Sequence, residues 1–170
     1  MKALAGTIFL SLLFILSCTK PPDYSNTPEI AFVSFSKNPL TQGFGVNDDF
    51  TTLTISFTDG DGDLGGDTIS TIYFDDLRTT TTNDFLEFGA PLIPEQGTGN
   101  GISGDLIITL PTTCCIHPDS TLRQFGCEAP FQDTGVLTDT VVYEIYILDR
   151  AGNKSNVIRT EPLILLCDEI

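Results

Sequence analysis

Thr51-Thr52-Leu53-Thr54-Ile55-Ser56-Phe57-Thr58 runs directly into Asp59-Gly60-Asp61-Gly62-Asp63-Leu64-Gly65-Gly66-Asp67. The first half puts Leu53, Ile55 and Phe57 on one face and Thr52, Thr54 and Ser56 on the other, the pattern of a strand with one buried and one wet side. The second half cannot continue that strand. Its glycines suit a tight loop that needs positive φ, and Asp59, Asp61 and Asp63 send carboxylates at alternate positions into the space the loop encloses. At about 6 Å each like-charge pair costs roughly 0.7 kcal/mol even in bulk water, and more once partly desolvated. A turn of this kind calls for a cation.

The aspartates match the opening of an EF-hand loop, but Leu64 stands where that loop has its glycine and Ser70 where it has its bidentate glutamate. The reading is therefore a shorter calcium loop, with Asp67 as a further ligand. Oxygen-only ligands suit calcium and disfavour zinc or copper. In a sandwich the loop after the second strand and the loop after the sixth share one end, which adds Asp149. The expected metal ligands are Asp59, Asp61, Asp63, Asp67 and Asp149; the competing reading is a solvated acidic turn.

Outward from this stretch, short apolar clusters alternate with polar residues and are separated by Gly, Pro, Asn and Asp, which predicts an all-β domain over 29–170. Glu29 to Ser36 changes phase between Phe32 and Val33, the sign of a bulge or a change of sheet. Lys37 to Asp48 reads as loop. Thr68 to Phe74 reads as a return strand, so that the acidic turn joins two neighbouring antiparallel strands. A short strand at Phe85 to Phe88 and a longer one at Ile102 to Leu110 follow. The run through Val141, Tyr143, Ile145 and Ile147 is apolar on both faces and so central in its sheet. Asp149 to Asn153 supplies a hairpin turn, and Ser155 to Leu166 closes the set, with Pro162 implying an edge or a bulge. About seven antiparallel strands at this spacing make a β-sandwich.

The chain opens with Lys2, an apolar run from Ala3 to Leu16, and Ser17-Cys18. The run falls short of the roughly 20 apolar residues that span a bilayer and fits a signal sequence. Ile15-Leu16-Ser17-Cys18 resembles a bacterial lipobox, which implies cleavage of residues 1–17 and a lipid anchor on Cys18. Each buried methylene of such an anchor contributes about 0.8 kcal/mol of membrane attachment. Residues 18–28 then form the lipidated cysteine and an extended, proline-rich tether. Removing 17 of the 170 residues leaves 153, a length for one domain, and takes Lys2 away, moving the formal charge from −15 to −16. That charge argues against nucleic acid as a partner.

Cys114, Cys115, Cys127 and Cys167 remain beside Cys18, an even number in an exported chain, and read as two disulfides. A bridge between the adjacent Cys114 and Cys115 demands a strained ring, so one of them joins Cys127 and the other Cys167, in either order. Zinc held by Cys114, Cys115, His117 and Cys127 is the alternative; an oxidising compartment and a spacing unlike a zinc finger weigh against it. His117 is the only histidine, and no nucleophile elbow, phosphate loop or metalloprotease motif accompanies it. The chain reads as a non-enzyme.

Asp139-Thr140-Val141-Val142-Tyr143-Glu144-Ile145 is similar to the Asp-x-x-x-Tyr-x-Cys signature of immunoglobulin domains, with Ile145 at the place of their cysteine. The chain has no tryptophan, so the likeness is to immunoglobulin-like or fibronectin-like sandwiches rather than antibody domains. Lipobox, tether, acidic turn and the late Leu148-Asp149-Arg150-Ala151-Gly152-Asn153-Lys154-Ser155-Asn156 hairpin together resemble small Bacteroidota-type outer-membrane lipoproteins with a single immunoglobulin-like domain. The resemblance implies a lipid-anchored protein of the outer membrane, on its periplasmic face or at the cell surface. The expected role is a binding or interaction module, an accessory subunit of an outer-membrane or cell-surface assembly, with a protein or a glycan as partner. Glycan hydrolysis by a carboxylate pair, or a purely structural envelope role, are the alternatives.

Overall fold

A computed structural model of the chain describes residues 23–66, 72–78, 86–91, 93, 101–117, 127 and 137–167. Residues 1–17, Cys18 and Asp67 lie outside the described residues. The described chain is all-β. Its strands are β1 (Glu29–Phe35), β2 (Leu40–Thr41), β3 (Phe50–Asp59), β4 (Ile72–Asp76), β5 (Leu86–Phe88), β6 (Ile102–Pro111), β7 (Thr138–Val141), β8 (Tyr143–Ile147), β9 (Ile158–Arg159) and β10 (Leu163–Leu166). Among the described residues no helix is long and apolar enough to cross a membrane.

One layer of the sandwich is the sheet β1-β3-β6; facing it are two smaller sheets, β2-β10-β7 and β5-β4-β8-β9. Ten strands replace the expected seven or so because long apolar runs break where the chain changes sheet. Only Val142 separates β7 from β8, yet β7 pairs with β10 while β8 pairs with β4 and β9. The run from Ser155 to Leu166 also splits, and Pro162 lies in the gap, where its missing N–H costs no ladder bond. A backbone bond from Thr160 N–H to Tyr143 O (3.0 Å) carries the pairing past the end of β9. The pairing of β10 with β2 is parallel, a departure from the all-antiparallel expectation, and Leu40 and Thr41 form a strand where a loop was expected.

The phase change in β1 is a register shift between Phe32 and Ser34. Val33 is left half-exposed, while Phe32 and Phe35 meet edge to face at 5.2 Å.

The acidic turn does not make a hairpin. β3 already has β1 on one edge and β6 on the other, so β4 has no edge to take and joins β5 and β8 in the opposite layer. The turn therefore crosses the end of the sandwich. Beneath it, Leu53, Ile55 and Leu110 face Phe74, Tyr143, Ile145, Ile147, Leu163 and Leu165 in one apolar cluster. Burying each such side chain is worth about 1.5–3 kcal/mol. Burial, reinforced by the nearby Asp76 carboxylate, holds the Tyr143 phenol well above its ordinary pKa, so it stays neutral.

Two asparagines stitch the layers at their edges. Asn156 accepts from Ile30 N–H (2.8 Å) and donates to Ile30 O (2.9 Å), behaving as a one-residue strand partner for β1. Asn38 does the same for β10, accepting from Ile164 N–H (2.9 Å) and donating to Pro162 O (2.9 Å).

Of the two disulfide pairings left open by the sequence, the structure has Cys114 with Cys127 and Cys115 with Cys167. All three thiols of the zinc alternative are thereby consumed. Arg78 fixes the base of the loop: it contacts Asp76 and Asp139 at 2.6 Å each and donates to Cys114 O at 3.2 Å, while Ile116 N–H donates to Asp139 (2.8 Å). The Cys115–Cys167 bridge closes a sequence separation of 52 and ties β6's continuation to the end of β10; the other closes 13. In chain-entropy terms these are worth about 4 and about 3 kcal/mol. Replacing Cys115 and Cys167 by alanine is therefore expected to cost more stability than replacing Cys114 and Cys127, and urea unfolding of the two double variants checks that order.

Candidate metal centre

The alternation that builds the core also aims the acids. Along β3 every second residue faces inward: Leu53, Ile55, Phe57 and then Asp59, which is 0% exposed. Along the opposite layer the inward series is Val141, Tyr143, Ile145, Ile147 and then Asp149, 5% exposed. Each layer thus ends its apolar face with one carboxylate at the same end of the core. The turn adds Asp61, exposed, and Asp63, half-buried. Gly62 and Gly65 take positive φ (72° and 82°), and Leu64, fully buried, anchors the crossing to the core. That is the reason a leucine stands where an EF-hand has glycine.

One carboxylate oxygen each from Asp59, Asp61, Asp63 and Asp149 lie within 4.8 Å of one another. Among the described residues no other group of three or more potential ligands is so placed. The fifth expected ligand, Asp67, lies outside the described residues.

Hydrogen bonds fix one oxygen each of Asp59 and Asp63 and spare the other. Asp59 Oδ2 accepts from Asp63 N–H (3.0 Å), and Asp63 Oδ2 accepts from Ala151 N–H (3.0 Å). Arg150 N–H donates to Asp63 O (3.3 Å), so the turn and the hairpin after β8 are joined directly. Asp149 is oriented by Asn153, whose N–H and Nδ2 donate to its two oxygens (2.7 and 2.8 Å). Asp59 Oδ1 and Asp63 Oδ1 are buried with no hydrogen-bond partner. A buried carboxylate oxygen left bare costs several kcal/mol unless something positive meets it. The residues present fit a hard divalent cation.

The electrostatics agree. The Asp59 carboxyl is raised from 3.8 to about 6 by burial first, then by the neighbouring Asp61 carboxylate and the charge of Asp63, with the Asp63 amide pulling the other way. Asp63 is raised by burial and by the charges of Asp149 and Asp61, with the Ala151 amide and Arg150 pulling the other way. Two unit charges 4.8 Å apart repel by about 3 kcal/mol at an effective dielectric of 20. At neutral pH the cluster holds more negative charge than its own hydrogen bonds answer. A proton or a metal ion would relieve that excess.

The sequence singled out the four clustered acids and the topology that unites them. Asn153, the Ala151 amide and the inward phase of Asp59 escaped it. That phase was legible, since Asp59 and Asp149 each continue an apolar period-two series by one step. No family model, curated protein or solved structure matches the chain.

Because the folded Asp59 carboxyl lies above its unfolded value, its stabilising protonation is complete below about pH 3.8 and lost as pH rises through about 6. Without added metal, the protein is expected to melt at a higher temperature at pH 5 than at pH 7. Asp59→Asn should flatten this slope and raise the pH 7 midpoint in EDTA by several degrees, as thermal melts followed by circular dichroism would record.

Proposed function

We infer that the chain is a calcium-stabilised binding module carried on a lipid anchor, serving as a non-catalytic subunit of an assembly at the outer membrane. The observation that carries the ion assignment is the pair of bare buried oxygens, Asp59 Oδ1 and Asp63 Oδ1, beside two further carboxylates. Calcium fits better than magnesium. Magnesium demands a near-octahedral shell at about 2.1 Å and dehydrates reluctantly. Calcium also tolerates an irregular shell of six to eight oxygens, which these four carboxylates begin and water or carbonyls complete.

Support for the remainder comes from the sequence and the frame. The lipobox-like Ile15-Leu16-Ser17-Cys18 and the prolines after it favour a tethered protein. Two disulfides favour an oxidising compartment. Half-exposed or exposed Phe44, Val46 and Phe50 lie along one short stretch beside β2 and β3 and give a protein partner apolar surface to cover.

Calcium at a hundredfold excess over its Kd should stabilise the protein by about 2.7 kcal/mol. The melting midpoint is expected to rise by several degrees on replacing EDTA with millimolar calcium, and to rise less with magnesium; an unchanged midpoint defeats the calcium reading. Crosslinked capture from native membranes should recover a stoichiometric protein partner, and its absence defeats the subunit reading.

A further inference from the structure

We propose that the cation site is also a clasp on the tether: an ion bound by the acidic turn locks Tyr24 and Ser25 against the outside of that turn and so shortens the free leash. This rests on the calcium and lipid-anchor readings above and adds a regulatory consequence to them.

The expected tether ran to Pro28, but its last residues are packed on the domain. Gly60, between Asp59 and Asp61, donates its N–H to Ser25 O at 2.7 Å. The backbones meet so closely that a Cβ on Gly60 would lie 2.4 Å from Tyr24 O and 2.7 Å from the Ser25 carbonyl carbon. Only glycine fits there, and the reason is close approach. Tyr24 lies over Gly101, where a Cβ would stand 2.8 Å from its ring and 2.8 Å from Asp59 O. Its hydroxyl donates to Ser103 on β6 at 3.3 Å. Pro28, next to β1, is buried.

The Asp59-Gly60 peptide therefore has two jobs on its two sides. Inward, it sets the carboxylate of Asp59 among three others; outward, it holds the tether. Repulsion among the carboxylates acts on residues 59–63, the same short turn that makes the clasp, and glycines at 60, 62 and 65 let that turn yield. An ion at the focus removes the repulsion and fixes Gly60 where Ser25 finds it. Linkage makes the effect reciprocal: whatever the ion does for tether docking, tether docking does for ion affinity.

The consequence is a change of reach. With the clasp closed, five residues (Thr19 to Asp23) separate Cys18 from the docked segment; with it open, ten (Thr19 to Pro28) do. At about 3.1 Å per residue that is roughly 16 Å against roughly 31 Å. External calcium would set how far the domain stands from its anchor.

Hydrogen exchange on the full chain in detergent, in calcium and in EDTA, reads the clasp, and calorimetric titration with calcium reads the site. Exchange of the Gly60 N–H, the donor to Ser25 O, is expected to slow about tenfold or more in calcium. Tyr24→Ala should weaken calcium binding about fivefold, Tyr24→Phe, which keeps the ring over Gly101, should bind nearly as the parent does, and Asp59→Asn should abolish the response. If calcium binds while exchange at Gly60 stays the same and Tyr24→Ala binds as tightly as the parent, the clasp is wrong and the site stands. If no calcium binds, the reading beneath it falls and the clasp falls with it.

Discussion

The alternation of a β-strand does not stop at the last apolar residue. In β3 and in β8 the inward face continues for one further step, to Asp59 and Asp149, and because the two strands belong to opposite layers the two carboxylates arrive over the same end of the core. Asp61 and Asp63 join them from the crossing turn. Four acids in one small space are mutually repulsive, and two of their oxygens are shut away from water without a donor. The architecture at this end of the molecule is an answer to that constraint: the Asp63 and Ala151 amides take one oxygen each of Asp59 and Asp63, Asn153 holds both oxygens of Asp149, and one oxygen from each of the four acids lies within 4.8 Å of the others. A hard cation would complete such an arrangement, because the cost of desolvating carboxylates is recovered only when positive charge replaces the lost water.

Why the turn crosses between layers follows from edge occupancy. β3 is central, flanked by β1 and β6, so the chain leaving it has no edge of β3 left to pair with and passes over the core instead. Leu64 makes that crossing firm by filling the space beneath it. The tether approaches from the other side, and Gly60 is where its backbone touches the turn. Acid cluster, turn and tether are therefore stacked on one short segment, with the carboxylates innermost.

The rest of the sandwich is a rigid frame made from short strands. Its two smaller sheets are joined by chain that changes sheet at Val142 and near Pro162, and its layers are closed at the edges by Asn156 and Asn38, whose side-chain amides imitate a peptide unit. The irregular region after β6 is held by two covalent bridges and by the Arg78 ion cluster rather than by a ladder. A frame so fastened leaves its adjustable parts at the acidic end.

Sequence by itself determined what depends on local period and on chemical type. The alternation through Thr51 to Thr58, through Ile102 to Leu110 and through Val141 to Ile147 specified strands, the phase slip at Val33 specified the bulge, and aspartates at alternate positions specified a concentrated acidic turn. These are properties each segment carries alone. Tertiary structure decided which edges were free, and hence that the turn crosses layers, that two long runs break to change sheet, that β2 and β10 pair in parallel, and that Cys115 rather than Cys114 reaches Cys167. It also decided that Tyr24 and Ser25 dock on Gly60. The physical reason is the same in every case: pairing and close approach depend on where distant segments lie, and a residue's neighbours in space are fixed by edges and layers that no local pattern encodes.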